Sequence, residues 1–247
     1  MRALLLAAGY GTRLRPLTTH IPKCLVPIQD RTLLGFWLSR LSDAGCGPFL
    51  INVHYKAEQV ASFVKASPHC SSITLAYEAQ LLGTAGTLME NLDFFRGEDG
   101  MLIHADNFCL ADMRAFIQAH RQRPSGCLMS MLTFRTDDPS SCGIVELNAQ
   151  GIVIAFEEKP LRPVGNLANG AIYILSAELL QRLRHTKPAP TDFSLQVLPG
   201  LMGSILSHET TDPLIDIGTP ASYERANALR WSRPGDPSVA RRVHGSG

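Results

Sequence analysis

The chain has 247 residues, 45% of them hydrophobic and 18% charged, with 23 Lys and Arg against 22 Asp and Glu, a net charge of +1. That length accommodates one large α/β domain with additions and a full core. The near-neutral charge lacks the positive field of nucleic-acid binders, and no apolar run of about 18 residues is available to cross a membrane.

The N-terminal apolar stretch is too short for a signal peptide and ends in a loop, so the sequence reads as cytoplasmic. Cys24, Cys46, Cys70, Cys109, Cys127 and Cys142 form no C-x-x-C pair and the eight histidines form no ligand cluster, so any metal must be held by carboxylates.

In chain order, a strand is expected over Ala3–Ala7, followed by the loop Gly9-Tyr10-Gly11-Thr12-Arg13-Leu14-Arg15-Pro16. A strand that runs into glycines delivers backbone N–H groups to an anion. Two familiar phosphate loops are absent. The P-loop needs a Gly-Lys pair, which the chain lacks, and the dinucleotide fingerprint finds Leu14 where its third glycine belongs.

Apolar periodicity next predicts a helix at Leu33–Asp43, a strand at Phe49–Val53, a helix at Ala57–Lys65 and a strand at Ile73–Tyr77. It continues with a helix at Ala85–Leu92, a strand at Met101–His104 and a helix at Met113–His120. Such alternation argues for a Rossmann-like, mostly parallel sheet flanked by helices. Ligands of such sheets sit at the strand carboxyl ends, which here carry the glycine loop and Asp106.

From Gly126 onward the pattern turns to strands, at Leu128–Thr133, Gly143–Leu147, Ile152–Phe156 and Ala171–Leu175, an added antiparallel portion. Residues 1–230 thus read as a single domain, with a part of about 1–125 and a second of about 126–230. The Arg-, Pro-, Gly- and Ser-rich stretch at 231–247 reads as a flexible tail. No internal repeat is found, and no hexapeptide β-helix repeat follows.

Leu6 to Thr18 fits the pattern L-A-[AG]-G-x-G-[TS]-R-[LM]-x-P-L-T of the sugar-1-phosphate nucleotidyltransferases, which the chain resembles over about residues 1–230. Further matches follow in order: Pro22-Lys23-Cys24-Leu25-Val26-Pro27-Ile28, Leu82-Gly83-Thr84-Ala85-Gly86, Ala105-Asp106-Asn107, Phe156-Glu157-Glu158-Lys159-Pro160, Asn169-Gly170-Ala171-Ile172-Tyr173 and Ile215-Asp216-Ile217-Gly218-Thr219-Pro220. Ala105, after His104, departs from the glycine usual before the first aspartate.

The resemblance implies a GT-A-like nucleotidyltransferase fold whose antiparallel portion binds sugar. It also implies a reaction in which a sugar 1-phosphate oxygen attacks the α-phosphorus of a nucleoside triphosphate and pyrophosphate leaves. Arg13, Lys23 and Asp106 take catalytic roles on this reading, the two cations neutralising phosphate charge. Leu6, Ala8, Gly9, Gly11, Thr12, Gly83 and Thr84 contact nucleotide, and Glu158, Lys159, Asn169 and Gly170 contact the sugar phosphate. Asp106 and Asp216 share Mg²⁺, a hard cation suited to carboxylate, water and phosphate oxygens.

The wording Glu78-Ala79-Gln80-Leu81-Leu82-Gly83-Thr84-Ala85-Gly86 is nearest to guanylyltransferases acting on mannose 1-phosphate, which favours GTP. The competing readings are a non-catalytic nucleotide-sugar-binding regulatory subunit and a cytidylyl- or uridylyltransferase for another phosphorylated acceptor. An aspartate just past a strand is also a common helix N-cap. No nucleic acid or membrane partner is implied, and no surface is marked for assembly.

Overall fold

The computed structural model describes residues 1–229. Its strands are β1 (Arg2–Leu6), β2 (Pro27–Ile28), β3 (Arg31–Thr32), β4 (Phe49–Val53), β5 (Ile73–Tyr77), β6 (Gly100–His104), β7 (Asn107–Cys109), β8 (Met129–Arg135), β9 (Gly143–Leu147), β10 (Val153–Glu158), β11 (Leu167–Leu175), β12 (Ile205–Thr210) and β13 (Leu214–Asp216). Its helices are α1 (Leu17–His20), α2 (Leu33–Asp43), α3 (Ala57–Ala66), α4 (Gly83–Glu90), α5 (Met113–Arg121), α6 (Ala177–Arg184), α7 (Phe193–Gln196) and α8 (Pro220–Ala228).

One nine-stranded sheet organises the chain. Strands β5, β4, β1 and β6 run parallel, and β11 continues the sheet antiparallel to β6. β8 pairs antiparallel with β11 and parallel with β12, while the β9–β10 hairpin joins the near end of β11. The sheet therefore runs unbroken from the first part of the chain into the second. The tail expected over 231–247 lies outside the described residues.

Period-two alternation along β1 explains the two-faced core: Ala3 and Leu5 pack on one side of the sheet and Leu4 on the other. The first face buries Phe36, Trp37, Phe49, Ile51, Ile103 and Phe108, and the second buries Leu50, Phe95, Leu102, Tyr173 and Phe193. Each such side chain contributes about 1.5–3 kcal/mol by leaving water. Helix α2 begins where expected because Thr32 caps it, its hydroxyl accepting from the Gly35 N–H at 3.0 Å.

All six cysteines are free thiols. Burial pushes Cys24 and Cys109 up to about 12, which leaves them inert. No helix among the described residues is long and apolar enough to cross a membrane.

The join between the parallel strands and the added portion is held by a buried polar chain. His120 of α5 is 0% exposed; its Nδ1 lies 2.8 Å from Ser130 Oγ on β8, and its Nε2 lies 3.1 Å from Asp99 Oδ2. A carboxylate only accepts, so Nε2–H donates to Asp99 and the Ser130 hydroxyl donates to a neutral ring. Asp99 Oδ1 also accepts from the Ala177 N–H at the start of α6, at 2.8 Å.

Burial, helped by Arg123 and opposed by Asp99, lowers His120 from 6.5 to about 4. Between those values the unfolded chain takes up a proton that the folded chain refuses. His120 thus contributes full stability above pH 6.5, and this is lost as the pH falls toward about 4. A His120→Gln chain is expected to be about 1–3 kcal/mol less stable at pH 7.5, through impaired hydrogen bonding at Ser130 and Asp99. Its urea midpoint is expected to fall less between pH 7.5 and pH 5 than that of the unmodified chain. Equal falls in the two chains would remove His120 as the cause.

Candidate active site

The carboxyl ends of β4, β1 and β6 stand side by side, because Leu6 is paired with Asn52 on one flank and with His104 on the other. The loops leaving these ends carry the glycine segment and Asp106. Asp216 arrives from far along the chain: β13 pairs antiparallel with β7 and sets Asp216 opposite Asn107. Trp37 secures that turn, its Nε1–H donating to the Asn107 carbonyl at 2.7 Å. Asp106 caps no helix; the cap of α5 is Asp112, whose Oδ1 accepts from the Arg114 and Ala115 N–H groups.

Lys23 lies between the two aspartates. Its Nζ is 2.8 Å from Asp106 Oδ2 and 3.3 Å from Asp216 Oδ1, and Arg13 Nη2 is 3.6 Å from Asp216 Oδ2. The lysine side chain is only 9% exposed, whereas Asp106 and Asp216 remain 41% and 51% exposed. A cation is thus set into the wall while both carboxylates keep open faces. Burial opposes ionisation of Asp106, yet Lys23, His104 and its hydrogen bonds hold its carboxyl below the ordinary range.

Among the described residues no third His, Cys, Asp or Glu joins the pair to form a closed metal cluster. Two open carboxylates fit a hard cation that completes its shell with water and phosphate oxygens.

Two cavities meet at this point. The smaller, about 220 Å³, is lined by Leu6, Ala8, Gly9, Gly83 and Thr84 together with Lys23 and Asp106. The larger, about 850 Å³, is lined by Arg13, Asp106, Glu158, Lys159, Asn169, Gly170 and Asp216. His104 and Asp106 border both. Burial keeps the His104 imidazole below its ordinary value, and among the described residues its buried Nε2 has no hydrogen-bond partner.

Gly11 and Thr12 border neither cavity. Gly11 packs on the side chains of Thr18 and Lys23, and Thr12 opens the short turn Thr12–Leu14 that presents Arg13. Thr84 faces the smaller cavity, but its hydroxyl already accepts from the Phe193 N–H at 2.8 Å.

In the larger cavity, burial raises the Glu158 carboxyl above its ordinary value, opposed by Lys159 and reinforced by Asp192. Asn169 Nδ2 donates to the Tyr173 hydroxyl at 2.7 Å, and its Oδ1 accepts from the Ala171 N–H at 2.9 Å. These residues sit where β11 shifts register between Asn169 and Tyr173. The shift frees the Gly170 carbonyl to accept from Asn107 Nδ2 at 3.1 Å. A Cβ on Gly170 would stand 2.8 Å from the Leu132 carbonyl oxygen, so only glycine fits this crossing.

The smaller cavity is also lined by Asn52, Glu78, Thr87 and His104, to which sequence reasoning gave no site role, although Glu78 opens the stretch read as guanylyltransferase-like. Glu78 Oε1 accepts from Asn52 Nδ2 at 2.9 Å and from the Thr87 hydroxyl, and its Oε2 accepts from the Leu82 N–H at 3.2 Å. A signal for Asn52 was its polarity within the apolar run Phe49–Val53. The larger cavity likewise adds Arg135, Ser194 and Arg225.

A family model described as nucleotidyl transferase matches residues 2–231. Mannose-1-phosphate guanylyltransferase catalytic subunit beta of Drosophila pseudoobscura pseudoobscura is 32% identical over 228 residues, covering 90% of this chain and 60% of that protein. Mannose-1-phosphate guanyltransferase of Schizosaccharomyces pombe is 31% identical over 243 residues, covering 94% and 65%. The chain therefore spans 60% to 65% of the length of these relatives.

Among solved structures, a Bacillus anthracis protein in complex with sucrose superposes with a TM-score of 0.83 at 22% identity, over 94% of this chain and 98% of that one, a likeness of fold. HddC from Yersinia pseudotuberculosis complexed with GMP-PN superposes with a TM-score of 0.76 at 26% identity, over 92% and 97%.

The loop at Gly83 yields a direct test. Gly83 has φ +79°, and a Cβ there would lie 2.3 Å from the Thr191 carbonyl oxygen, which accepts from the Ala85 and Gly86 N–H groups. Gly83→Ala is expected to cost about 1–3 kcal/mol in backbone strain and to lower the thermal midpoint by roughly 2–4 °C per kcal/mol. Gly165→Ala, with nothing within 4 Å, serves as the control. Calorimetry showing equal midpoints for the two variants would contradict the strain argument.

Proposed function

The chain belongs to the nucleotidyl transferase family, and from that premise we propose that it transfers a nucleoside monophosphate from a nucleoside triphosphate, GTP favoured, to a sugar 1-phosphate with release of pyrophosphate. The observation that carries this reading is the convergence of Arg13, Lys23, Asp106 and Asp216 at the junction of two cavities. The names of the fly and yeast relatives and the GMP-PN complex of HddC support guanine as the base. On this reading the smaller cavity takes the nucleotide and the larger one the sugar phosphate.

The chemistry is dominated by charge. An oxygen of the sugar phosphate forms a bond to the α-phosphorus, the bond from that phosphorus to the bridging oxygen breaks, and pyrophosphate carries the electron pair away. Two polyanions must approach each other, so positioning and electrostatic stabilisation supply the rate. Arg13 and Lys23 turn toward phosphate oxygens as charge develops on them. Lys159 faces the sugar's phosphate, and Glu158 and Asn169 orient its hydroxyls.

Neither cation can be given to phosphate without leaving Asp106 and Asp216 short of positive charge. Mg²⁺, held by these two carboxylates, would supply that charge and a Lewis-acid contact to phosphate oxygens.

Pyrophosphate release across a panel of nucleoside triphosphates and sugar 1-phosphates tests the proposal. Turnover is expected with GTP, lost on chelation by EDTA and restored by Mg²⁺. Arg13→Ala is expected to lower kcat/KM by about 10²–10³-fold, and Asp106→Asn to abolish turnover with the fold intact by circular dichroism. No turnover with any pair, alongside tight binding of a nucleotide sugar, would establish a regulatory binding protein instead.

A further inference from the structure

Two residues that no motif marks connect the loops bordering the smaller cavity. Asn52 lies in β4 and His54 just beyond it, and residues two apart on a strand share a side. Asn52 Oδ1 accepts from the Ala7 N–H, at the start of the glycine loop, at 2.6 Å. Its Nδ2 donates to Glu78 Oε1 at 2.9 Å, and Glu78 Oε2 in turn receives the Leu82 N–H beside Gly83.

His54 makes a second, outer connection between the same loops. Its Nδ1 lies 2.8 Å from the Glu78 carbonyl oxygen, which only accepts, so Nδ1 carries the proton. Nε2 is then an acceptor, and the Tyr10 hydroxyl, in the middle of the glycine loop, donates to it at 2.9 Å. The Tyr10 ring stands edge-on to His54 at 5.4 Å and tilted against Tyr55 at 5.6 Å. Tyr55 itself donates to the Thr18 carbonyl at 3.0 Å. Both connections end on Glu78, one at its side chain and one at its backbone.

Glu78 is 8% exposed, and its carboxylate is satisfied by an amide, a hydroxyl and a backbone N–H. Among the described residues no Lys or Arg pairs with it. A carboxylate so placed adds no charge neutralisation for a phosphate, and its neutral donors instead fix the distance between two loops.

We propose that Asn52 and His54 are positioning residues that clamp the loop after β1 to the loop after β5 through Glu78, holding both in the spacing that a nucleoside triphosphate requires. This rests on the reading of the smaller cavity as the nucleotide site. The clamp acts on the nucleotide, because Glu158, Lys159, Asn169 and Gly170, which that reading assigns to the sugar phosphate, lie on β10, β11 and the loop between them.

The test uses the full chain with Tyr10→Phe, His54→Phe and the double variant, all at exposed or half-buried positions that keep an aromatic ring. Affinity is read with a ribose-labelled fluorescent GTP, and KM is read for each substrate. Each single variant is expected to weaken GTP binding three- to tenfold, raise the KM for GTP to match, and leave the KM for sugar 1-phosphate unchanged. The double variant is expected to be no worse than the weaker single one, because both remove the same bond. Asn52→Ala is expected to weaken GTP binding at least tenfold.

A purely structural role would lower the melting temperature while leaving both KM values alone, and that result overturns the clamp. Unchanged GTP affinity in all three aromatic variants overturns it as well, with the transferase reading intact. An unmodified chain that binds no nucleoside triphosphate overturns both.

Discussion

The ammonium of Lys23, shared between Asp106 and Asp216, is the contact around which the rest is arranged. Its three members are separated by 83 and 193 residues of sequence, so the contact exists only when most of the chain is in place. Taking charges out of water is costly, and a buried ion pair rarely repays the whole cost. Here the cost is limited because only the lysine is deeply set and both carboxylates stay open. Two cations and two carboxylates leave the group formally neutral, and its members can exchange partners without stranding a charge in the core.

Much of the fold serves to make that meeting accurate. Parallel pairing aligns the ends of β4, β1 and β6, and the small β7–β13 sheet brings residue 216 beside residue 106. Trp37 reaches from α2 to hold the Asn107 carbonyl, and Asn107 reaches on to the Gly170 carbonyl across the register shift in β11. The stretch around Thr191 closes the circuit from the other side. Its carbonyl meets the first N–H groups of α4, the Phe193 N–H meets Thr84, and Ser194 borders the larger cavity. Elements on both sides of the junction are therefore built into one hydrogen-bonded frame.

The elements that could be read from sequence are those whose burial is written into consecutive residues. Phe49–Val53, Ile73–Tyr77, Gly143–Leu147 and Leu33–Asp43 have the bounds expected of them, because each is a short apolar run or a clear helical stripe. β12 was missed: its sequence Ile-Leu-Ser-His-Glu-Thr is mostly polar, and it is held by parallel pairing with β8. β7 and β13 are three residues each and exist through one another. Helix α6 has a strong polar face and helix α8 buries only Ala226, so neither stands out as an apolar segment.

The same distinction governs the site. Residues on the glycine loop, the Pro22-Lys23 turn and the Asp106 turn carry local signatures, and the structure brings Arg13, Lys23, Asp106 and Asp216 together. Gly11 and Thr12 share that signature yet border neither of these two cavities, since they shape the turn that aims Arg13 and packs on Lys23. Asn52 and His54 carry no signature, because their part depends on the ends of β1, β4 and β5 lying next to one another. A motif records the residues that face a ligand and the turns that aim them; what holds two motifs at the right distance is set by neighbouring strands, and any residue with the right donor and acceptor can fill it.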